Sequence, residues 1–236
     1  IGTTQERDQF WDAEIAVDDD GRILGLRGSL IHDHGAYTAR GVNLPYESAI
    51  TVTLPYEVPA YAMNVKLALT NKVPVTPVRG AGQPQSVFVM ERLLDRAAQA
   101  LGLDRAEIRR RNLVAGEDMP KTKPLQNRGG RPVVLDSGDY PKCQADVLTR
   151  AGWDGFPARQ RAARAEGRYL GIGMANFVKG TARGPFETAT VRIAPSGTIQ
   201  VATGATAMGQ GTATMMAQIV AAQLGGNMSN VKVTAG

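Results

Sequence analysis

The stretch Thr198-Ile199-Gln200-Val201-Ala202-Thr203-Gly204-Ala205-Thr206-Ala207-Met208-Gly209-Gln210-Gly211-Thr212 decides how this chain is read. Thr198 to Thr203 has the alternation and β-branched content of a strand. A glycine loop follows, and Thr212 to Leu224 carries helical spacing up to the stop at Gly225-Gly226. A strand, a glycine loop and a helix in that order leave unpaired N–H groups and a partial positive charge at the loop, a ready anion site. Gly209 and Gly211 let a bound group approach the backbone, and the Gln210 amide can both donate and accept. The four residues between Gly204 and Gly209 give nearly the spacing of a P-loop, but Gln210 stands where that loop needs lysine. Nucleoside triphosphate hydrolysis is thereby excluded, and the dinucleotide fingerprint Gly-x-Gly-x-x-Gly is missing as well.

Outward from this unit, Val231-Lys232-Val233 begins another strand, while Glu187 to Ala194 and Tyr169 to Phe177 read as strands upstream. Residues 141–151 and 157–166 read as helices, and residues 115–138 as a long loop without period. Asp104, with Glu107 three residues on, opens a short helix to about Leu113 through a capping box. Before it, Val87, Met90, Leu94, Ala97, Ala98 and Leu101 mark a helix that Gly102 ends. Residues 50–70 suggest edge strands and irregular crossings. Glu14 to Val17 and Ile23 to Leu26 flank the acidic turn Asp18-Asp19-Asp20-Gly21 as a hairpin, whose second strand continues through Gly28 to Ile31. The expected class is α+β: mixed strands with helices packed on one side. Residues 1–150 form a first region and residues 151–236 the strand–helix unit with the glycine loop. No internal sequence repeat is evident.

Composition narrows the function. The 236 residues include 43% hydrophobic and 21% charged side chains, which excludes a disordered tail. No run approaches the roughly 20 apolar residues of a membrane span. The single Cys143 excludes a disulfide framework and suits a reducing, cytoplasmic compartment. A net charge of +5 is spread along the chain, with 6% aromatics, so nucleic acid is not an expected partner. The run Arg109-Arg110-Arg111 reads as a solvated helix face pairing with Asp104 and Glu107. The start at Ile1 and the end just after a strand-like run read as a piece of a longer polypeptide.

A second candidate site is Val78-Arg79-Gly80-Ala81-Gly82-Gln83-Pro84, ahead of a helix. An arginine among glycines can aim a fixed fork of donors at an oxyanion or carboxylate. Three further groups read as bland. His32 and His34 share a strand face without a third ligand nearby and read as surface histidines. Asp18, Asp19 and Asp20 read as a solvated turn, and Met208, Met215 and Met216 as core packing.

Taken with Met90-Glu91-Arg92-Leu93-Leu94-Asp95 and Ala106-Glu107-Ile108-Arg109-Arg110-Arg111-Asn112-Leu113, the Arg79 turn resembles the molybdenum hydroxylases. That is the xanthine dehydrogenase and aldehyde oxidase group, including large subunits named for carbon monoxide dehydrogenase. Asp33-His34-Gly35-Ala36-Tyr37, Asp136-Ser137-Gly138-Asp139-Tyr140 and Gly209-Gln210-Gly211-Thr212 extend the resemblance, in the family's order, over most of the chain. It implies two sub-regions of a larger molybdopterin-binding domain. It also implies oxidative hydroxylation of a small organic substrate, an aldehyde or N-heterocycle, with water as the oxygen source. In such enzymes the Gly-Gln-Gly loop holds the pterin, which matches Gly209, Gln210, Gly211 and Thr212. The turn arginine lies beside the molybdenum, which matches Arg79 as the catalytic residue, with Gly80 and Ala81 lining the pocket. The resemblance further implies molybdopterin, in its cytosine dinucleotide form, on this chain. FAD and 2Fe–2S centres are implied on flavin and iron–sulfur partner subunits or domains. The family's catalytic glutamate lies outside this stretch, so the isolated segment is expected to be inactive. Members that oxidise carbon monoxide place a cysteine directly after the pocket arginine, where this chain has Gly80. Purine oxidisers tend to have an aromatic at the position of Ala81, whose small side chain leaves room. The rival reading is a non-catalytic binding or assembly module that keeps the fold without molybdenum.

Overall fold

The computed structural model describes residues 8–37, 43–180 and 187–235. The chain divides into two compact units, Ile1–Val178 and Lys179–Gly236.

In the first unit, β1 (Gln9–Val17) and β2 (Ile23–Asp33) form the expected antiparallel hairpin. Asp18 Oδ1 shapes its turn by accepting from the backbone N–H groups of Asp20 and Arg22. The chain then crosses through α1 (Asn43–Thr51) to β3 (Tyr61–Ala68), which joins β2 in parallel at the sheet edge. On the buried face of this sheet lies α2 (Gln83–Leu101), with Met90, Leu94 and Ala98 packed against Ile23, Leu26 and Ile108. Left-handed Gly102 ends α2, as expected. Asp104 caps α3 (Arg105–Asn112) by accepting from the N–H groups of Ala106 and Glu107. The Glu107 carboxylate accepts from Arg110 and Arg111, which holds it down to about 2.

Four expectations are corrected here. Residues 115–138 are not a structureless loop: β4 (Lys121–Gln126) and β5 (Pro132–Leu135) pair antiparallel, with Lys123 buried and its amine donating to the Tyr56 carbonyl. Residues 50–70 contain the end of a helix and not only strands. Tyr169 to Phe177 pairs with no strand among the described residues. Most consequentially, Arg109 is not on a solvated face. It is fully buried, donates from Nε to Glu91 at 2.6 Å and from Nη2 to Asp95 at 2.9 Å, and Tyr56 donates to the same Glu91 carboxylate at 2.5 Å. Burial pushes the Glu91 carboxyl up, against the pull of the Arg109 guanidinium. A buried arginine lacking such partners would be prohibitive, so Glu91 and Asp95, one turn apart on α2, turn it inward. After the hairpin come α4 (Tyr140–Ala151), which carries exposed Cys143, and α5 (Phe156–Ala165).

The second unit repeats the first unit's path. β6 (Ala189–Ile193) and β7 (Ile199–Thr203) form an antiparallel hairpin, and α6 (Thr212–Leu224) crosses to β8 (Val231–Ala235), parallel to β7. Each unit is therefore hairpin, crossover helix, parallel strand. The repeat is one of topology, carried by different residues, which is why the sequence conceals it.

Candidate functional site

The Arg79 turn is built on buried supports. Val75 donates its N–H to the His34 carbonyl, tying the segment after β3 to the end of β2. The chain then turns through Gly80, Ala81 and Gly82, all left-handed at φ 109, 48 and 91. Ala81 N–H bonds the Val78 carbonyl at 2.9 Å, and Gln83 N–H the Gly80 carbonyl at 3.1 Å. Beneath, on α1, fully buried Ser48 shares its proton between the carbonyls of Gly82 (2.8 Å) and Leu44 (3.0 Å), and accepts from the Gln9 amide at 3.0 Å. Thr51 and Ser86 join α1 to α2 through a 2.8 Å hydroxyl pair. Gly82 has no room for a side chain: a Cβ would lie 2.4 Å from the Leu44 carbonyl oxygen and 2.6 Å from Ser48 Oγ. Helix α2 thus starts from a clamped glycine, and Arg79 is carried exposed on the same turn. Among the described residues no hydrogen bond or ion pair engages the Arg79 side chain, so its planar donors face outward unspent. Ser48 and Gln9 were not singled out from sequence, since a lone serine in a mixed polar stretch gives no signal.

The histidines also depart from expectation. His32 and His34 are both fully buried, with ring centroids 5.3 Å apart and edge-on, and none of their ring nitrogens has a hydrogen-bond partner. They continue the parity of Leu26 and Leu30 along the buried face of β2, which is the signal that separates them from surface histidines. Burial, with His34 alongside, pushes His32 down to about 4. Asp33 points away from them and bonds Lys72 and Thr70, which hold it at about 2. Among the described residues no group of three or more potential metal-binding side chains is gathered.

The second site, in the other unit, is differently made. Gly209 and Gly211 are left-handed at φ 92 and 77, and a Cβ at either would meet nothing within 4 Å. The Gln210 side chain folds back on its own loop, where Oε1 accepts from Met208 N–H at 2.6 Å and Nε2 donates to the Thr206 carbonyl at 3.3 Å. Its amide ties the loop into shape. Helix α6 opens at buried Thr212 from Gly211, and no side chain caps it. An uncapped helix N-terminus behind two open, left-handed glycines fits an anionic group such as a pyrophosphate. Met208 and Met215 are not core residues, at 72% and 45% exposed, while Met216 is half-buried and α6 fully buries only Thr212, Ala217 and Ala221.

The structure thus gathers Arg79, Gly80 and Ala81 in one turn and Gly209, Gln210, Gly211 and Thr212 in another, one in each unit.

Two family models, each described as a molybdopterin cofactor-binding domain, match residues 1–113 and 146–236. The chain is 37% identical over 225 residues to the 6-hydroxypseudooxynicotine dehydrogenase complex subunit gamma of Paenarthrobacter nicotinovorans, covering 94% of this chain and 28% of that protein. It is 32% identical over 244 residues to the carbon monoxide dehydrogenase large chain of Hydrogenophaga pseudoflava, covering 95% of this chain and 30% of that one. Among solved structures, quinoline 2-oxidoreductase from Pseudomonas putida 86 superposes with a TM-score of 0.82 at 35% identity, over 100% of this chain and 31% of that chain. The chain therefore spans under a third of the length of the proteins it matches.

Proposed function

The chain belongs to the molybdenum hydroxylase family as a molybdopterin cofactor-binding segment, and on that premise we propose that it is part of the large, catalytic subunit of an enzyme that hydroxylates an aldehyde or N-heterocycle. Similarity to proteins named for quinoline and a hydroxylated pseudooxynicotine favours the nitrogen-containing aromatic class. The bound molybdenum–pterin group supplies the oxidation, with water as oxygen source and two electrons withdrawn from the substrate. The rest is what this chain's residues do. The N–H groups that open α6, behind Gly209 and Gly211, receive the anionic part of the pterin, which we assign as the cytosine dinucleotide form. Gln210 keeps that loop in its receiving shape, and buried Thr212 anchors its exit.

Arg79 is the catalytic residue of this chain: its guanidinium orients the substrate and stabilises negative charge as it develops. Gly80 and Ala81 keep the surface beside it low. Carbon monoxide oxidation is disfavoured, because Gly80 stands where the resemblance places the cysteine of members that oxidise carbon monoxide, and the single Cys143 lies on α4. Partner subunits or domains would hold the 2Fe–2S and FAD centres that take up the two electrons, and the compartment proposed for the assembly is the cytoplasm.

The observation that carries this reading is the unspent Arg79 on a turn clamped from below. The test is Arg79→Ala in the full-length holoenzyme, with molybdenum per polypeptide measured by elemental mass spectrometry. Molybdenum is expected to stay near one per chain while kcat/KM falls about 100- to 1,000-fold. Unchanged turnover at unchanged molybdenum overturns the role of Arg79. Metal-free wild-type protein from a host that makes the cofactor favours an assembly module instead.

A further inference from the structure

Between α5 and the end of the first unit, Tyr169 to Val178 runs without helix, turn or left-handed residue. From Gly171 to Val178 it alternates strictly, exposed then half-buried. The inward side chains are well placed: Val178 packs on Leu54, Val114 and Leu135, and the Asn176 amide donates to Tyr56 at 3.1 Å and Gln144 at 2.8 Å. This is the side-chain pattern of a β-strand. Yet among the described residues no backbone–backbone hydrogen bond engages any residue from Tyr169 to Gly180.

The backbone is used on one edge only. The carbonyls of Leu170 and Ile172 accept from Gln160 and Arg105, and the Asn176 N–H faces the Glu91 carboxylate. All three are even-numbered. In an extended strand the N–H and C=O of one residue lie to the same side and those of the next to the opposite side. The odd residues Gly171, Gly173, Ala175 and Phe177 therefore present their N–H and C=O groups along the other edge, unpaired. Three of the four have a side chain no larger than a methyl group, so another backbone can approach closely.

We infer that Gly171, Gly173, Ala175 and Phe177 form a receiving edge for a β-strand supplied by the same subunit's polypeptide outside these 236 residues. The inference rests on the reading of the chain as one segment of a larger subunit. Two observations favour that occupant over a transient partner. Tyr169 to Val178 contains no charged residue and no proline, the devices that protect strand edges left open to solvent. An edge without them is a permanently covered one. The matched relatives also carry more than two thirds of their length beyond the aligned stretch, chain enough to cover it.

The test uses the purified full-length protein in its complex, with the photoreactive analogue p-benzoylphenylalanine placed at Phe177, which is 55% exposed. Irradiation is expected to join Phe177 to a peptide of the same polypeptide outside the 236 residues. Residue-resolved hydrogen exchange on the unlabelled protein is expected to slow the amides of Gly171, Gly173, Ala175 and Phe177 by on the order of a hundredfold, since each must open before exchanging. A crosslink to a second copy, to another subunit or only within these residues overturns the inference, as does fast exchange at the four amides. Molybdenum content, measured on the same preparation, reports separately on the cofactor reading.

Discussion

The two units trace the same path, yet they treat their glycine turns in opposite ways. In the first, the crossover helix α1 is pressed under the start of α2, and Ser48 and Leu44 close on Gly82 from below. In the second, the crossover helix α6 leaves Met215, Ile219 and Leu224 exposed, and Gly209 and Gly211 stand in open space. One turn is shaped by packing that exists before any ligand arrives. The other is held only by the Gln210 amide and keeps its approach free. A rigid backbone mount suits the charge-stabilising role proposed for Arg79. An open cradle suits a bulky anion that supplies its own contacts. Glycine serves both turns for different reasons, close approach within the protein in one and access from outside in the other.

The largest expected effect breaks the clamped turn. Gly82→Ala places a methyl group inside the Leu44 and Ser48 contacts and demands a left-handed alanine, at a combined cost of about 3 kcal/mol or more. Urea unfolding checks this, and a loss below about 1 kcal/mol would mean that the clamp yields easily and Arg79 is not rigidly held.

The next effect is one of pH and concerns the buried histidines at the end of β2. His32 is held near 4, against an ordinary value of 6.5. Between those values the unfolded chain binds a proton that the folded chain refuses, so stability rises with pH across the window. Acidification from 6.5 to 4 is expected to remove about 3 kcal/mol. Asp33, held at about 2, adds a further loss below about 4 as its carboxylate is forced to protonate. Replacing the imidazole, His32→Leu, is expected to flatten the slope between 6.5 and 4 while leaving the Asp33 limb. An unchanged slope would place the proton uptake elsewhere.

How far the sequence showed all this depends on whether a signal was local. Helix α2 was legible from its apolar period and Gly102, α3 from its Asp104 cap, and α6 from glycines at both ends. Both glycine turns were legible as turns, since glycine beside arginine or before a helix carries its own physics. Helix α1 was missed because its buried positions include Ser48 and Thr51 and trace no apolar stripe. The β4–β5 hairpin was missed because the buried residue of β4 is Lys123, whose stem packs while its amine finds the Tyr56 carbonyl, and β5 buries only Leu135. Arg109 was misread for the same reason: what turns it inward is the Glu91–Asp95 pair 14 to 18 residues away, not its neighbours. Tyr169 to Phe177 has the side-chain pattern of a strand, but a strand is a pairing, and no single segment encodes its partner.

The smallest effect on stability is the sharpest test of the contrast. Gly209→Ala introduces a methyl group that meets no atom within 4 Å. Only the left-handed backbone at φ 92 resists it, which costs about 1 kcal/mol. The same substitution at the two turns is thus expected to differ severalfold in unfolding free energy, with Gly82 the costlier. Cofactor loading should rank them differently. If the open space at Gly209 is where the pterin's anionic part comes against the backbone, the added methyl group occupies that approach, and molybdenum per polypeptide falls well below one while the fold persists. Should Gly209→Ala retain full molybdenum, the space around that residue belongs to solvent, and the α6 N-terminus would have to receive the group from the Gly211 side alone.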